Sequence, residues 1–210
     1  MKIKNMRGRP STPESDVKNK VLETSFSICI NKDFSSISID EIARNAGLAK
    51  KTIYKYFKNK DAIIEQMIEK WTSTKTLTAP SLPQHKEEVI DKLLCFFMEL
   101  SAHALSLESV AIFRFLQSDA HKKNEYLKLY RENGINNASE VLNEWLNQVK
   151  LLGFINPLWP DNSASYFQAL LITPHLRDIT LGLKPPVPEY DLLPELKKTL
   201  LAFQNILLNK

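Results

Sequence analysis

Ser38-Ile39-Asp40-Glu41-Ile42-Ala43-Arg44-Asn45-Ala46-Gly47-Leu48-Ala49-Lys50-Lys51-Thr52-Ile53-Tyr54-Lys55-Tyr56-Phe57 is the stretch on which the fold turns. Ser38 with Glu41 three residues on is a capping box, in which the serine oxygen accepts an otherwise unpaired backbone N–H of the first helical turn. Ile39, Ile42 and Ala43 then recur at helical spacing, which predicts a short helix with one inward face. Ala46-Gly47-Leu48 ends it, because glycine takes the left-handed conformation of a helix C-cap without the steric cost of a Cβ. A second short helix follows from about Lys50 to Tyr56, with Ile53 and the adjoining Phe57 turned inward. That register leaves Lys50, Lys51, Thr52, Tyr54 and Lys55 facing outward, all donors suited to phosphate oxygens and base edges. Two short helices joined by a glycine turn describe a helix-turn-helix reader of double-stranded DNA.

The flanks extend the reading. Upstream, Pro13 with Glu14 and Asp16 suits the first turn of a helix, and Val17, Val21, Leu22, Ser25 and Ile28 supply its buried face. Asn31-Lys32-Asp33 ends it. Downstream, Asn59 and Asp61 open a longer helix that carries Ile63, Ile64, Met67, Ile68 and Trp71. Before all of these, residues 1–10, with Arg7-Gly8-Arg9-Pro10, read as a flexible basic arm. Residues 1–60 hold thirteen Lys and Arg against six Asp and Glu, whereas the rest of the chain is slightly acidic and the net charge is only +4. Positive charge concentrated in this way marks a polyanion partner, and charge alone does not choose between DNA and an anionic membrane surface.

Val21-Leu22 with Thr24-Ser25, Phe34, Ile42-Ala43, Ala46-Gly47-Leu48, Thr52-Ile53-Tyr54, Tyr56-Phe57 and Lys60 together resemble the N-terminal signature of the TetR family of bacterial regulators. The resemblance covers roughly residues 8–70. It implies a three-helix DNA-binding head at residues 11–71, whose fourth helix links it to an all-helical ligand-binding and dimerisation body at residues 72–210. By position it implies that Thr52 and Tyr54 touch the DNA backbone and that Lys60 contacts a phosphate. Lys51 and Lys55 occupy outward positions within reach of bases or phosphates. Three departures bear on base preference: Asp33 where glycine is usual, Ala49 where Ser or Thr would cap the recognition helix, and Lys51 where glycine is frequent. A missing cap costs about 1 kcal/mol, which tertiary packing can absorb.

Glycine is scarce and alternating strand patterns are hard to find, so the fold expected throughout is all-α. Thr72 to Gln84, with Pro80 and Pro83 and no clear apolar period, is read as the domain junction. Helices are expected at about 86–105, 108–118, 124–152, 161–182 and 192–208, with Pro174 bending the fourth and Pro185, Pro186 and Pro188 setting off the last. In that final helix Leu192, Leu193, Leu196, Leu200, Phe203, Ile206 and Leu207 form a broad apolar face, widened by Leu201 and Leu208. The last two helices are therefore expected to build a homodimer. Aromatics abound in the body, and the expected small-molecule pocket takes His103, Phe113, Gln117, Trp145 and His175 as candidate contacts for an apolar or amphipathic effector.

No zinc motif, nucleophile elbow, phosphate-binding glycine loop or Cys-x-x-Cys occurs, and the four histidines are scattered, so neither catalysis, a metal nor a cofactor is expected. Cys29 and Cys95 both sit in apolar runs and read as small core hydrophobes. No signal-like or membrane-spanning run is found, giving a cytoplasmic protein without a membrane partner. The leading function is a repressor released from its operator by a small molecule. The alternative is an architectural DNA-binding protein without an effector, which a filled body core would favour.

Overall fold

The computed structural model describes residues 13–31, 37–117 and 122–209. The basic arm at residues 1–10, together with Asp33 and Phe34, lies outside them. The chain divides into two compact units, Met1–Met67 and Ile68–Lys210. The division falls within a helix, a few residues before the segment read from sequence as the junction. Among the described residues the regular structure is helical, with two isolated β-bridges and no strand. No described helix is long and apolar enough to cross a membrane.

In the first unit, α1 (Glu14–Asn31) begins with Glu14 and Asp16 in its first turn, where carboxylates oppose the partial positive charge of the helix end. Glu14 also pairs with Lys18 at 2.6 Å. Val17, Val21, Leu22, Ser25, Phe26 and Cys29 are buried, while Ile28, expected inside, is half-buried. At 100° per residue the stripe centres on Leu22, Ser25 and Cys29, which leaves Ile28 at its rim. α2 (Ile39–Ala46) is capped as its sequence requires: the Glu41 N–H donates to Ser38 Oγ at 3.2 Å, and Gly47 closes it with φ 62°. Open space surrounds the position of a Gly47 Cβ, so the left-handed backbone rather than crowding calls for glycine there. α3 (Lys50–Tyr56) starts at Ala49 without a side-chain cap. α4 (Lys60–Thr72) is opened by Asn59, whose Oδ1 accepts the Ala62 N–H at 2.9 Å. Ile42, Ile53, Phe57, Ile63 and Met67 are almost fully buried.

The second unit contains α5 (Glu88–Ala104), α6 (Leu107–Gln117), α7 (Lys123–Tyr130), a π-helical turn (Arg131–Asn136), α8 (Asn137–Leu151), α9 (Ala164–Leu171), α10 (Thr173–Thr180) and α11 (Leu193–Leu207). The helix expected at 124–152 is thus continuous but widened by the π turn. The one expected at 161–182 breaks at Ile172, since Pro174 has no N–H to continue the ladder. α11 packs on α5 and α9. Around them Phe97 meets Phe96 edge-on at 5.4 Å and Phe167 at 6.0 Å, and Trp159 packs against Phe167 at 5.7 Å. The end of the chain is tied back by Asn156 N–H donating to Leu207 O at 2.8 Å and Asn209 N–H to Phe154 O at 3.0 Å.

One expectation is corrected here: Cys29 is buried, but Cys95 is exposed. Asp91, Met98 and Glu99 are exposed with it, at the i, i+4, i+7 and i+8 spacing of a single helix face, so the apolar neighbours of Cys95 in sequence point the other way.

Candidate functional site

The first candidate surface is the outward face of α3. Ile53 and Phe57 anchor this short helix in the first unit, which fixes the direction of the residues between them. Lys50, Lys51, Tyr54 and Lys55 are exposed and Thr52 and Lys60 are half-buried. Tyr54, at 54% exposure, stands out as an aromatic left in solvent.

The cations are not equivalent. Lys50 forms an ion pair with Asp40 across the α2–α3 turn. Both side chains are more than half exposed, so the pair contributes about 0–1 kcal/mol and yields readily to a competing anion. Lys55 Nζ lies 3.0 Å from the Tyr56 hydroxyl and 4.8 Å above its ring. The Tyr56 hydroxyl holds the Lys55 ammonium above its ordinary pKa, keeping it charged. Lys51 has no partner among the described residues. Lys60, at the start of α4, borders a small gap with Ser25 and Cys29, and burial pushes that thiol up to about 12, so it stays protonated. The involvement of Asp40 and Tyr56 was not read from the sequence, although Asp40 follows the Ser38 cap and Tyr56 adjoins Lys55.

The second candidate is a cavity of about 320 Å³ within the second unit. Of the five contacts expected from sequence, His103 and Phe113 line it and Gln117, Trp145 and His175 do not. Gln117 is exposed at the end of α6. Trp145 is core, its Nε1–H directed to Ser81 O at 3.4 Å. His175 is buried elsewhere, with Nδ1 3.5 Å from Glu195 and its ring 6.4 Å from that of Tyr190.

Residues that sequence reasoning passed over also line it, among them Thr72 at the end of α4 and Thr74 beyond it, Tyr130 and Gly134 at the π turn, and Gln168, Ile172 and Leu176 in and between α9 and α10. A signal existed for α9, where Ser165, Gln168, Ala169 and Ile172 keep helical spacing with small or polar side chains on one face. Tyr130 packs against Phe113 at 6.2 Å, and burial pushes its hydroxyl up to about 12. The wall contains no Lys, Arg, Asp or Glu.

Residues 21–67 match the family model described as bacterial regulatory proteins, tetR family. This interval runs from the middle of α1 into α4 and so takes in the whole of α2 and α3. This segment is similar to the N-terminal region of the TetR family. It is 30% identical over 104 residues to the HTH-type transcriptional regulator EthR of Mycolicibacterium smegmatis, a match covering 46% of this chain and 48% of that protein. A second relative, the uncharacterized HTH-type transcriptional regulator YdeS of Bacillus subtilis, is 27% identical over 88 residues, or 42% of this chain and 43% of its own length. The chain thus spans under half the length of the curated relatives it matches. A solved TetR transcriptional regulator from Agrobacterium tumefaciens superposes with a TM-score of 0.69 at 20% identity, over 95% of this chain and 97% of that one. The fold of that protein therefore extends through both units, while the family-model match is confined to residues 21–67.

Proposed function

We propose that this chain is a cytoplasmic transcriptional regulator of the TetR family that represses by binding operator DNA as a homodimer and is released when a small molecule occupies its body. The observation that carries the reading is the face of α3, where Lys51, Tyr54 and Lys55 stand in solvent on a helix anchored by Ile53 and Phe57. Lys50, Thr52 and Lys60 extend that face toward the phosphates on either side. A chain of this design binds and responds and catalyses nothing.

Ligand release rests on the cavity. An architectural protein without an effector needs a filled body core, and a largely apolar cavity of about 320 Å³ is at variance with that. A ligand shifts the chain away from DNA only if it prefers the conformation that binds DNA less well.

The test is a fluorescence-anisotropy titration against DNA from upstream of the protein's own gene and against a scrambled duplex of equal composition, at several salt concentrations. The expected result is preference for the natural sequence with a steep salt dependence. Lys51→Ala should flatten the slope of log K against log salt by about 0.9, the signature of one lost phosphate contact. Equal binding to both duplexes, or a slope unmoved by the substitution, would overturn the assignment of this face.

A further inference from the structure

The polar groups around the body cavity narrow the chemistry of its occupant, an inference that rests on reading the cavity as the effector site. Most hydroxyls in the wall already donate to backbone carbonyls: Thr72 to Ile68 at 2.7 Å, Thr74 to Gly134 at 2.9 Å, Ser109 to Trp71 at 2.5 Å and Thr173 to Gln168 at 3.3 Å. Their protons are committed to holding helices together and leave the cavity a mainly methyl and methylene surface.

His103 is different. It lines the cavity from the last turn of α5, and its Nε2 is buried without a hydrogen-bond partner. A buried polar atom left unpaired is destabilising, and ordinary cores avoid it. Tyr130, half-buried, adds a hydroxyl with no hydrogen bond among the described residues. Gln168 receives the Ser139 hydroxyl on its Oε1 at 3.3 Å, which leaves its amide N–H groups for the cavity. With no carboxylate, ammonium or guanidinium in the wall, a charged ligand would lose its hydration and gain no counter-ion.

The geometry points to an uncharged, largely apolar ring compound carrying one hydrogen-bonding oxygen, which pairs with the His103 imidazole as that ring turns its buried, unpartnered Nε2 toward the cavity, while its hydrocarbon part fills the space between α5, α6 and α9. Imidazole nitrogen can donate or accept, so a hydroxyl and a carbonyl both satisfy it. The volume lies at the small end of ligand pockets, which suits a one- or two-ring molecule.

Three probes of one shape test this on the full chain by titration calorimetry: 2-naphthol, naphthalene and 2-naphthoate. The naphthol should bind more tightly than naphthalene by about fivefold or more, the worth of one net hydrogen bond, and the naphthoate should bind most weakly. His103→Leu should abolish the advantage of naphthol over naphthalene while naphthalene still binds. A measurement on the unaltered chain stands beside the variant: the His103 ring 15N resonance should move with naphthol and stay in place with naphthalene. Preference for naphthoate, failure of all three probes to bind, or a naphthol advantage that survives both readouts unchanged would overturn the inference. None of these titrations contains DNA, so a naphthol that binds through His103 but leaves an operator complex intact defeats the release reading and spares the ligand class.

Discussion

At the scale of single residues, burial and charge separate groups that look alike in the sequence. Lys50 and Lys51 are neighbours on α3, yet Asp40 holds the first and nothing among the described residues holds the second. His103 and His175 were both candidate ligand contacts, but His175 is engaged within the body by Glu195, Lys184 and Asp178 rather than by the cavity. Burial holds its pKa below the ordinary 6.5, Glu195 and Asp178 raise it in part, and Lys184 lowers it further. The folded chain therefore binds this proton less readily than the unfolded chain, and stability rises with pH between the two values. The contribution is complete above 6.5 and is lost as pH falls through that value toward the lowered one. Glu195 acts in a separate window: its carboxylate accepts from Tyr190 and pairs with Lys184 at 3.1 Å, which puts it below 4.5, so its contribution is lost only under more acidic conditions. Urea unfolding at about pH 7.5 and about pH 5.5 should show the native chain losing more stability than His175→Gln over that interval. Equal losses in the two proteins would mean that His175 titrates alike folded and unfolded.

At the scale of elements, the helices announced by local signals were legible and the features that arise from packing were not. Ser38, Gly47 and Asn59 cap helices by chemistry that acts within four residues, so α2 and the start of α4 follow from the sequence. The apolar spacing of 124–152 predicted one helix but gave no sign of the π turn at Arg131–Asn136, because that turn answers to a segment nearly sixty residues away. Thr74 N–H donates to Asn133 O at 3.0 Å, its hydroxyl reaches Gly134 O at 2.9 Å, and Asn137 Nδ2 returns to Thr74 O at 2.7 Å. Most of the cavity wall was hidden for the same reason, since a residue's neighbours across the body are set by how helices stack and not by its own period. Gly134 permits the close approach: a Cβ there would stand 2.9 Å from the Thr72 carbonyl oxygen. In an open helix, replacing glycine by alanine gains about 1 kcal/mol. Here the backbone must move, and overpacking of this kind costs about 1–3 kcal/mol. Gly134→Ala should accordingly lower the urea midpoint, and a midpoint equal to or above that of the native chain would show that the wall yields freely.

At the scale of the whole molecule, the distribution of exposed leucines decides which part of the broad apolar face on α11 is available to a second copy. Leu196, Leu200 and Leu207 are buried within the chain where α11 packs on α5 and α9, and the flanking Leu192 and Leu208 are buried as well. Leu200, which sequence periodicity alone would choose for an interface substitution, is 1% exposed, and a charge there would damage the core of one protomer instead. Leu193, Leu201 and Ile206 on α11, with Tyr166 and Leu170 on α9, remain exposed. Exposed apolar side chains on α9 and α11 are what a contact with a second copy about a two-fold axis would cover. A single helix-turn-helix head makes few contacts, whereas two heads related by such an axis engage half-sites about 34 to 36 Å apart and double the contact set. Sedimentation at micromolar concentration should therefore give a mass near twice 24.1 kDa. Leu201→Glu combined with Ile206→Lys should reduce it to that of one chain while the helical circular-dichroism signal persists, because neither side chain belongs to the core. DNA affinity should fall with the mass, since each free head then binds alone. A double variant that still sediments as a pair would move the contact to another face, and a monomer that keeps the native operator affinity would remove the need for a dimer altogether.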